Sequence, residues 1–297
     1  MSCDKVKRDF CKRYASDCEN IFFMGKPITF FKGSGGILGC GVSAGSYLAL
    51  EKRQDDRVMI QFSSTDKFLT FNMESVGVEN NNFSRFFLRL KNMGAKVGGV
   101  RLFFYQNSSL SIPDVSLLLM SLDCFCSNLP SRQELMNEFG NYTFQTLAQT
   151  GKANYLSYIK GGQTEYLLFR QSGYKIIICK IRDGKGIKVE LQRSRIDRAR
   201  EALRREDYNE FGSLLTAETA DVIKAGKLSA VSNLYNVITK REESVGCGIV
   251  DDGALFAVVE NKYVDFFIEN VSREYARYFG ASPKFYITDT ETAGRVY

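Results

Sequence analysis

Apolar residues in this chain recur with two different periods, and the order in which those periods alternate limits the fold most. Alternating or continuous short runs mark strands at Ile21–Met24, Ile28–Phe31, Ser46–Leu50, Val58–Ser63, Val100–Tyr105, Glu165–Phe169, Tyr174–Ile181, Ala254–Val259 and Lys284–Thr288. Helical spacing marks Ser2–Ser16, Phe83–Met93, Pro113–Cys126, Ser131–Thr150, Val189–Arg204, Tyr208–Lys224, Leu228–Ile238 and Tyr263–Phe279. Strands and helices are mixed, but no regular strand–helix alternation runs through them. That order excludes a doubly wound parallel sheet and predicts an α+β fold. Gly25-Lys26-Pro27 reads as a turn between the first two strands, and a glycine-rich stretch follows from Gly33 to Gly45. With 297 residues the chain has room for one large domain or two ordinary ones.

Composition narrows the chemistry. The chain has no histidine, which rules out Ser-His-Asp and Cys-His nucleophiles, a histidine base and any histidine-bound zinc. The remaining chemistry is that of carboxylates, Lys, Arg, Tyr and backbone amides. Eight cysteines occur without a CxxC pair, and several, such as Cys179, sit in apolar runs as core residues. The amino terminus, Met1–Arg13, is charged and lacks an apolar h-region, so no signal peptide is expected, and no apolar run is long enough to cross a membrane. These features predict a reduced, cytoplasmic protein without a membrane partner.

Net charge is +6, and all of the excess falls between Lys180 and Arg205. That segment holds Lys180, Arg182, Lys185, Lys188, Arg193, Arg195, Arg198, Arg200, Arg204 and Arg205 against Asp183, Glu190, Asp197 and Glu201. It reads either as a solvated helix face laced with opposite-sign pairs or as a nucleic-acid footprint.

Several segments, in order, resemble the galactokinase branch of the GHMP kinases. Gly35-Gly36-Ile37-Leu38-Gly39 through Leu50, then Arg57–Ser63, resembles the family's "GG.VLP.AI" stretch and the strand after it. Val100–Asp123 resembles the strand, phosphate loop and helix of "GSGLSSSAA". Glu190–Leu203 resembles its arginine-rich helix, Asp207–Gly212 its "gD...FG" element, Ala217-Glu218-Thr219 its "ESG", and Ala293–Val296 its terminal "GG.RV". The resemblance implies a two-domain architecture: a ribosomal-protein-like domain over residues 1–172 and a ferredoxin-like α/β sandwich over 173–297. It also implies a sugar and nucleotide site in the cleft between them, and ATP with Mg²⁺ as cofactors of any active form.

At the chemical positions the residues depart from the family. Its "PGR.NLIGEHTDY" becomes Phe22–Lys32, in which "GEH" is Ile28-Thr29-Phe30 and only Lys26, Thr29 and Lys32 are polar. The phosphate loop becomes Asn107-Ser108-Ser109-Leu110-Ser111-Ile112-Pro113-Asp114, without glycines. Asn107, Ser108, Ser109 and Ser111 are the nucleotide-binding candidates, and Asp114 either favours its own helix or holds Mg²⁺. Counting back from Gly161-Gly162 places Asn154 on the catalytic aspartate of "G.MDQ", with Lys152 nearby as a compensating charge or a solvated lysine. Asparagine can hydrogen-bond a hydroxyl but cannot take its proton. "GGGFGG" becomes Gly246–Gly253, where only Gly248 and Gly253 align and Asp251-Asp252 form either a cation site or a polar turn. Lys26, Thr29, Gly35, Gly36 and Gly248 are the substrate-site candidates. Phosphoryl transfer rests on positioning and charge stabilisation, so these losses predict a pseudokinase that binds a small molecule or partner. The alternatives are an active ATP-dependent small-molecule kinase with rewired residues, or a nucleic-acid binder using the basic segment.

Overall fold

The computed structural model describes residues 3–64, 68–76, 82–106, 114–139, 147, 151–169, 173–184, 195–292 and 295–296. Its contacts divide the chain into two compact units, one of Met1–Lys26, Gly45–Gln149 and Ala293–Tyr297, the other of Pro27–Ala44 and Thr150–Thr292.

In the first unit, helix α1 (Cys3–Tyr14) buries Val6, Phe10 and Tyr14, a stripe four residues apart. Asp4 in its first turn and Lys12 and Arg13 in its last suit the helix dipole. The unit's sheet is built from β1 (Asn20–Gly33), β2 (Gly36–Lys52), β3 (Arg57–Phe62), β4 (Phe68–Asn72), β6 (Val100–Gln106) and β14 (Arg295–Val296), in the order β14-β1-β2-β6-β3-β4. β5 (Lys96–Val97) pairs separately with β7 (Cys126–Ser127). Strand β6 runs antiparallel to β2, with Leu48 opposite Phe104, and parallel to β3, with Ile60 opposite Leu102. Alternation then sorts the side chains. Leu48, Leu50, Leu102 and Phe104 join the core under α2 (Asn82–Asn92) and α3 (Asp114–Phe125), while Tyr47, Ala49 and Phe103 turn to the α1 face. Tyr14 fastens α1 by donating its hydroxyl to the Leu102 carbonyl at 3.0 Å. Helix α4 (Arg132–Phe139) starts on a capping box, in which Ser131 and Glu134 exchange backbone and side-chain hydrogen bonds.

The second unit carries a hairpin, β8 (Tyr155–Lys160) and β9 (Gln163–Leu168), turned on Gly161 and Gly162 at φ +54° and +81°. β8 also pairs with Ile37–Gly39 of β2. A four-stranded antiparallel sheet follows, in the order β11-β12-β10-β13, from β10 (Tyr174–Lys180), β11 (Ser244–Asp251), β12 (Ala254–Glu260) and β13 (Lys284–Thr288). Helices α7 (Ser229–Ile238) and α8 (Val264–Phe279) cover one face, closing a core of Ile177, Cys179, Cys247, Leu255, Ala257 and Val259. Helix α6 (Tyr208–Gly226) is capped by Asp207, which accepts the Glu210 N–H at 2.9 Å. It lies on β11 so closely that a methyl on Gly212 would strike the Val245 carbonyl and one on Gly246 the Gly212 backbone. Helix α5 (Ile196–Arg204) packs on α6 and β9.

The α+β expectation holds, and three local readings change. Gly25-Lys26-Pro27 is not a turn but the middle of one 14-residue strand, β1. All three residues are buried. A turn there would bury unpaired backbone groups, whereas an extended strand offers them to its neighbours, and Pro27, which has no N–H to offer, stands where β1 passes from the first unit to the second. Gly246–Asp251 is strand rather than loop, and the turn is confined to Asp252-Gly253. Tyr155–Lys160, read above only as a motif, is strand β8. Of the helix expected over Ser131–Thr150, Arg132–Phe139 is observed and most of the remainder lies outside the described residues. Residues 185–194 of the basic segment lie outside them too, and α5 begins at Ile196. None of the eight cysteines is joined in a disulfide. Among the described residues no helix is long and apolar enough to cross a membrane.

Candidate functional site

Most of the candidate residues with described side chains fall in the second unit, on β1, β2, the approach to β8, and β11. Thr29 and Phe30 leave Pro27 along β1. Phe30 is only 4% exposed and its ring meets Phe256 at 4.7 Å, Phe211 at 5.8 Å and Phe169 at 6.1 Å. Phe31 meets Phe211 at 5.7 Å. The segment that the resemblance assigns to sugar-binding acids thus forms a phenylalanine cluster. Thr29 Oγ1 is buried beside it and has no hydrogen-bond partner among the described residues. Gly248 serves the same cluster. Any side chain at Gly248 would run into the Phe256 ring, so the glycine makes the space that the ring fills.

Asn154 lies on the approach to β8 with φ +69°, a left-handed conformation that asparagine tolerates. Its N–H donates to Thr290 Oγ1 at 2.8 Å, its carbonyl accepts from the Phe169 N–H at 2.7 Å, and Ala153 N–H donates to Thr292 Oγ1 at 3.3 Å. Both threonines follow β13, and their segment is held to β2 by Ser43 N–H to the Asp289 carbonyl and Glu291 N–H to the Gly41 carbonyl. The Asn154 backbone is therefore fixed from two sides while its side chain is exposed. Lys152, also exposed, places its ammonium 4.4 Å from the Tyr155 ring centre and 5.6 Å from that of Tyr166.

Gly35 and Gly36 form the tip of the β1–β2 hairpin, under α5. The Gly35 carbonyl accepts the Tyr158 hydroxyl, and a methyl at Gly35 would come within 3.1 Å of Ile196. Gly36 has φ +119°, and a methyl there would sit 2.5 Å from the Ile159 carbonyl. Arg200 caps this corner, its guanidinium 3.7 Å from the Tyr158 ring centre and 2.6 Å from Glu165, which also binds Arg204 at 2.6 Å. Desolvation pushes the Glu165 pKa up, but hydrogen bonds from Arg200 and Arg204 outweigh it and hold the carboxyl below the usual range.

The same pairing runs along the described part of the basic segment. Arg182 binds Asp252, Arg195 binds Glu218 and Asp221, and Arg198 and Arg205 share Glu210. Lys180 binds Asp183. Each described cation of the segment therefore has an acidic partner, as the solvated-face reading anticipates. Glu218 is 4% exposed and accepts from both the N–H and the guanidinium of Arg195, so it fixes the start of α5.

Asp251 is the last residue of β11, and its side chain braces the turn before β12. It accepts the Gly253 N–H at 2.8 Å and packs against Gly184. Among the described residues no group of three histidine, cysteine or acidic side chains could hold a metal ion. Lys26 is buried at the end of the first unit's share of β1. Asn107, Ser108, Ser109 and Ser111 lie outside the described residues. Asp114 opens α3.

Sequence reasoning found the arginine-rich helix but missed Tyr158, Glu165 and the Thr290–Thr292 clamp. These partners come from segments 35 to 139 residues away from the groups they hold, a separation that local patterning cannot reveal.

No family model matches the sequence, and no curated protein matches it. Solved structures do share its fold. A galactokinase of Lactococcus lactis in complex with galactose superposes with a TM-score of 0.81 at 15% identity, covering 98% of this chain and 99% of its own. A mevalonate kinase of Methanococcus jannaschii gives 0.63 at 11% identity over 93% and 99%. A mevalonate diphosphate decarboxylase of Staphylococcus aureus gives 0.63 at 8% over 94% and 97%. The chain therefore has the two-domain α+β fold of the GHMP kinases.

Proposed function

We propose that this chain is a galactokinase-like scaffold without sugar-kinase turnover, acting as a binding protein for a small molecule or partner. The observation that carries the reading is the phenylalanine cluster. In the GHMP resemblance, Thr29 and Phe30 stand where acidic and polar groups would hold a sugar. Here Phe30 packs on Phe256, Phe211 and Phe169, and Gly248 serves the Phe256 ring. A buried aromatic cluster offers no hydrogen bonds to sugar hydroxyls. Asn154, at the family's aspartate position, can donate to or accept from a hydroxyl but cannot deprotonate one. Lys152 faces two tyrosine rings and offers no substitute base in its charged form. The nucleotide candidates Asn107, Ser108, Ser109 and Ser111 lie outside the described residues.

The active-kinase alternative requires a carboxylate for the metal, from Asp114, Asp251 or Asp252; Asp251 accepts the Gly253 N–H and Asp252 binds Arg182. The nucleic-acid alternative requires unneutralised cations, and the described part of the Lys180–Arg205 segment is paired. Thermal unfolding tests the reading. Stabilisation by a sugar or metabolite without nucleotide supports it, and stabilisation that requires ATP-Mg²⁺ contradicts it.

A further inference from the structure

A cavity of about 420 Å³ opens in the first unit where helix α3 ends. Its wall carries Lys52, the last residue of β2, Lys96, the first of β5, and Asp123 and Cys124 from the last turn of α3. The backbone ties these segments together. β5 pairs with β7, the Gly98 N–H donates to the Phe125 carbonyl at 2.9 Å, and the Arg53 N–H donates to the Gly99 carbonyl at 2.8 Å. The other end of α3, where Asp114 follows the phosphate-loop candidates in the chain, is 12 residues away, about 18 Å of helix.

Elsewhere in this protein acids and bases pair, as along the basic segment. Here, among the described residues, Lys52, Lys96 and Asp123 form no ion pair. Arg53 also lines the cavity, but it is committed to Asp55 through two guanidinium nitrogens. Two ammonium groups therefore stand against one carboxylate. Helix α3 adds the partial negative charge of its C-terminal end, and no basic residue in its last turn neutralises it. Burial pushes the Cys124 thiol up, with Lys52 opposing the shift and Asp123 adding to it, so both charges act on the same wall.

The wall thus offers two places for carboxylates and one for an ammonium group, and its size suits a small molecule rather than a single ion. We propose that this cavity binds a small zwitterion with two carboxylates and one ammonium group, the chemistry of a dicarboxylic α-amino acid, free or within a short peptide. The carboxylates sit on Lys52 and Lys96, and the ammonium group lies between Asp123 and the end of α3. The ligand's single net negative charge then balances the single net positive charge of the wall. The inference is independent of the reading of the kinase-like site.

Cys124 reports occupancy, because a ligand in the cavity shields its thiol. Alkylation of the full chain by iodoacetamide, located by peptide mapping, is followed with L-glutamate, with S-methylglutathione, and with glutarate, which has the two carboxylates but no ammonium group. The expected result is saturable protection, with Cys124 alkylated at least about fivefold more slowly and Cys3 unchanged. Protection by L-glutamate assigns the site to the free amino acid, and protection by S-methylglutathione alone assigns it to a peptide. Lys52→Ala and Lys96→Ala, both at exposed positions, should each weaken binding at least about tenfold with circular dichroism and melting temperature unchanged. Asp123→Asn should weaken the zwitterion that binds but not glutarate. The proposal is overturned if neither zwitterion protects Cys124, if protection survives both lysine changes, or if glutarate protects as well as the zwitterion does.

Discussion

Gly248→Ala separates a packing glycine from one kept for the approach of a ligand. The added methyl would meet three carbons of the Phe256 ring at overlap distance. That ring cannot swing aside: Phe256 is completely buried and the Phe30 ring is packed on it at 4.7 Å. Overpacking of this kind costs about 1–3 kcal/mol, while alanine in a strand regains about 0.5–1 kcal/mol over glycine. The expected net loss is about 1–2 kcal/mol. Phe256→Ala should cost about 3–5 kcal/mol by itself, but it opens the space the methyl needs. In that background Gly248→Ala should be neutral or slightly stabilising, a coupling of about 1–3 kcal/mol. Urea unfolding followed by far-ultraviolet circular dichroism measures all four corners, which suits a chain without tryptophan. Additive losses, or a Gly248→Ala variant as stable as wild type, would falsify the packing role and return the glycine to the binding candidates.

Other consequences are as direct. Glu165 is held below the usual carboxylate range, so its contribution is complete above its unfolded pKa and is lost as pH falls through the lower folded value. Glu165→Gln should therefore destabilise by about 0.5–1 kcal/mol at neutral pH, allowing for its exposure, and match wild type in acid; an unchanging difference across a pH series of melting curves would contradict the assignment. Gly36→Ala should cost about 1–3 kcal/mol, since φ +119° and the Ile159 carbonyl both oppose a side chain, and an unaltered urea midpoint would argue against that geometry. Glu218→Ala should cost about 1–3 kcal/mol, because it removes the buried acceptor of the Arg195 N–H and guanidinium while Arg195, partly exposed, keeps Asp221; a loss within error by the same assay counts against Glu218 as the anchor of α5. Burial pushes the Cys40, Cys179 and Cys247 thiols up and that of Cys126 up to about 12. In the native protein these should react with a thiol reagent far more slowly than half-exposed Cys3, and fast labelling of Cys179 found by peptide mapping would refute that.

The elements with strong periodicity were legible. The Val6, Phe10, Tyr14 stripe marks α1, the alternation through Val100–Tyr105 marks β6, and the amphipathic pattern of Tyr263–Phe279 marks α8. What failed did so where glycine and proline have two meanings. Gly25 and Pro27 punctuate turns in most sequences, yet here they lie within a buried strand. Gly246 and Gly248 stand where the family carries a glycine-rich loop, yet they admit the backbone of Gly212 and the ring of Phe256. The candidate site was legible as a loss: the absence of the family's acids around Thr29 and of its aspartate at Asn154 is plain in the residues. That Phe30 fills the gap with an aromatic cluster was not, because Phe169, Phe211 and Phe256 join it from segments far along the chain. The balance of the basic segment was half legible. Its alternating signs were visible, but Glu165 and Glu218, which bind Arg200, Arg204 and Arg195, lie outside it.

The central claim is that the scaffold persists without phosphoryl transfer. A single-turnover assay tests it most directly, with the protein in excess over radiolabelled ATP, Mg²⁺ present, and a panel of sugars and small alcohols as acceptors. The account predicts no phosphorylated product above the buffer background, and none after Asn154→Asp alone, because the groups around Thr29 and Phe30 still give a sugar nothing to bind. Product that forms with the wild-type chain and disappears in Asn154→Ala or Lys152→Ala would contradict it.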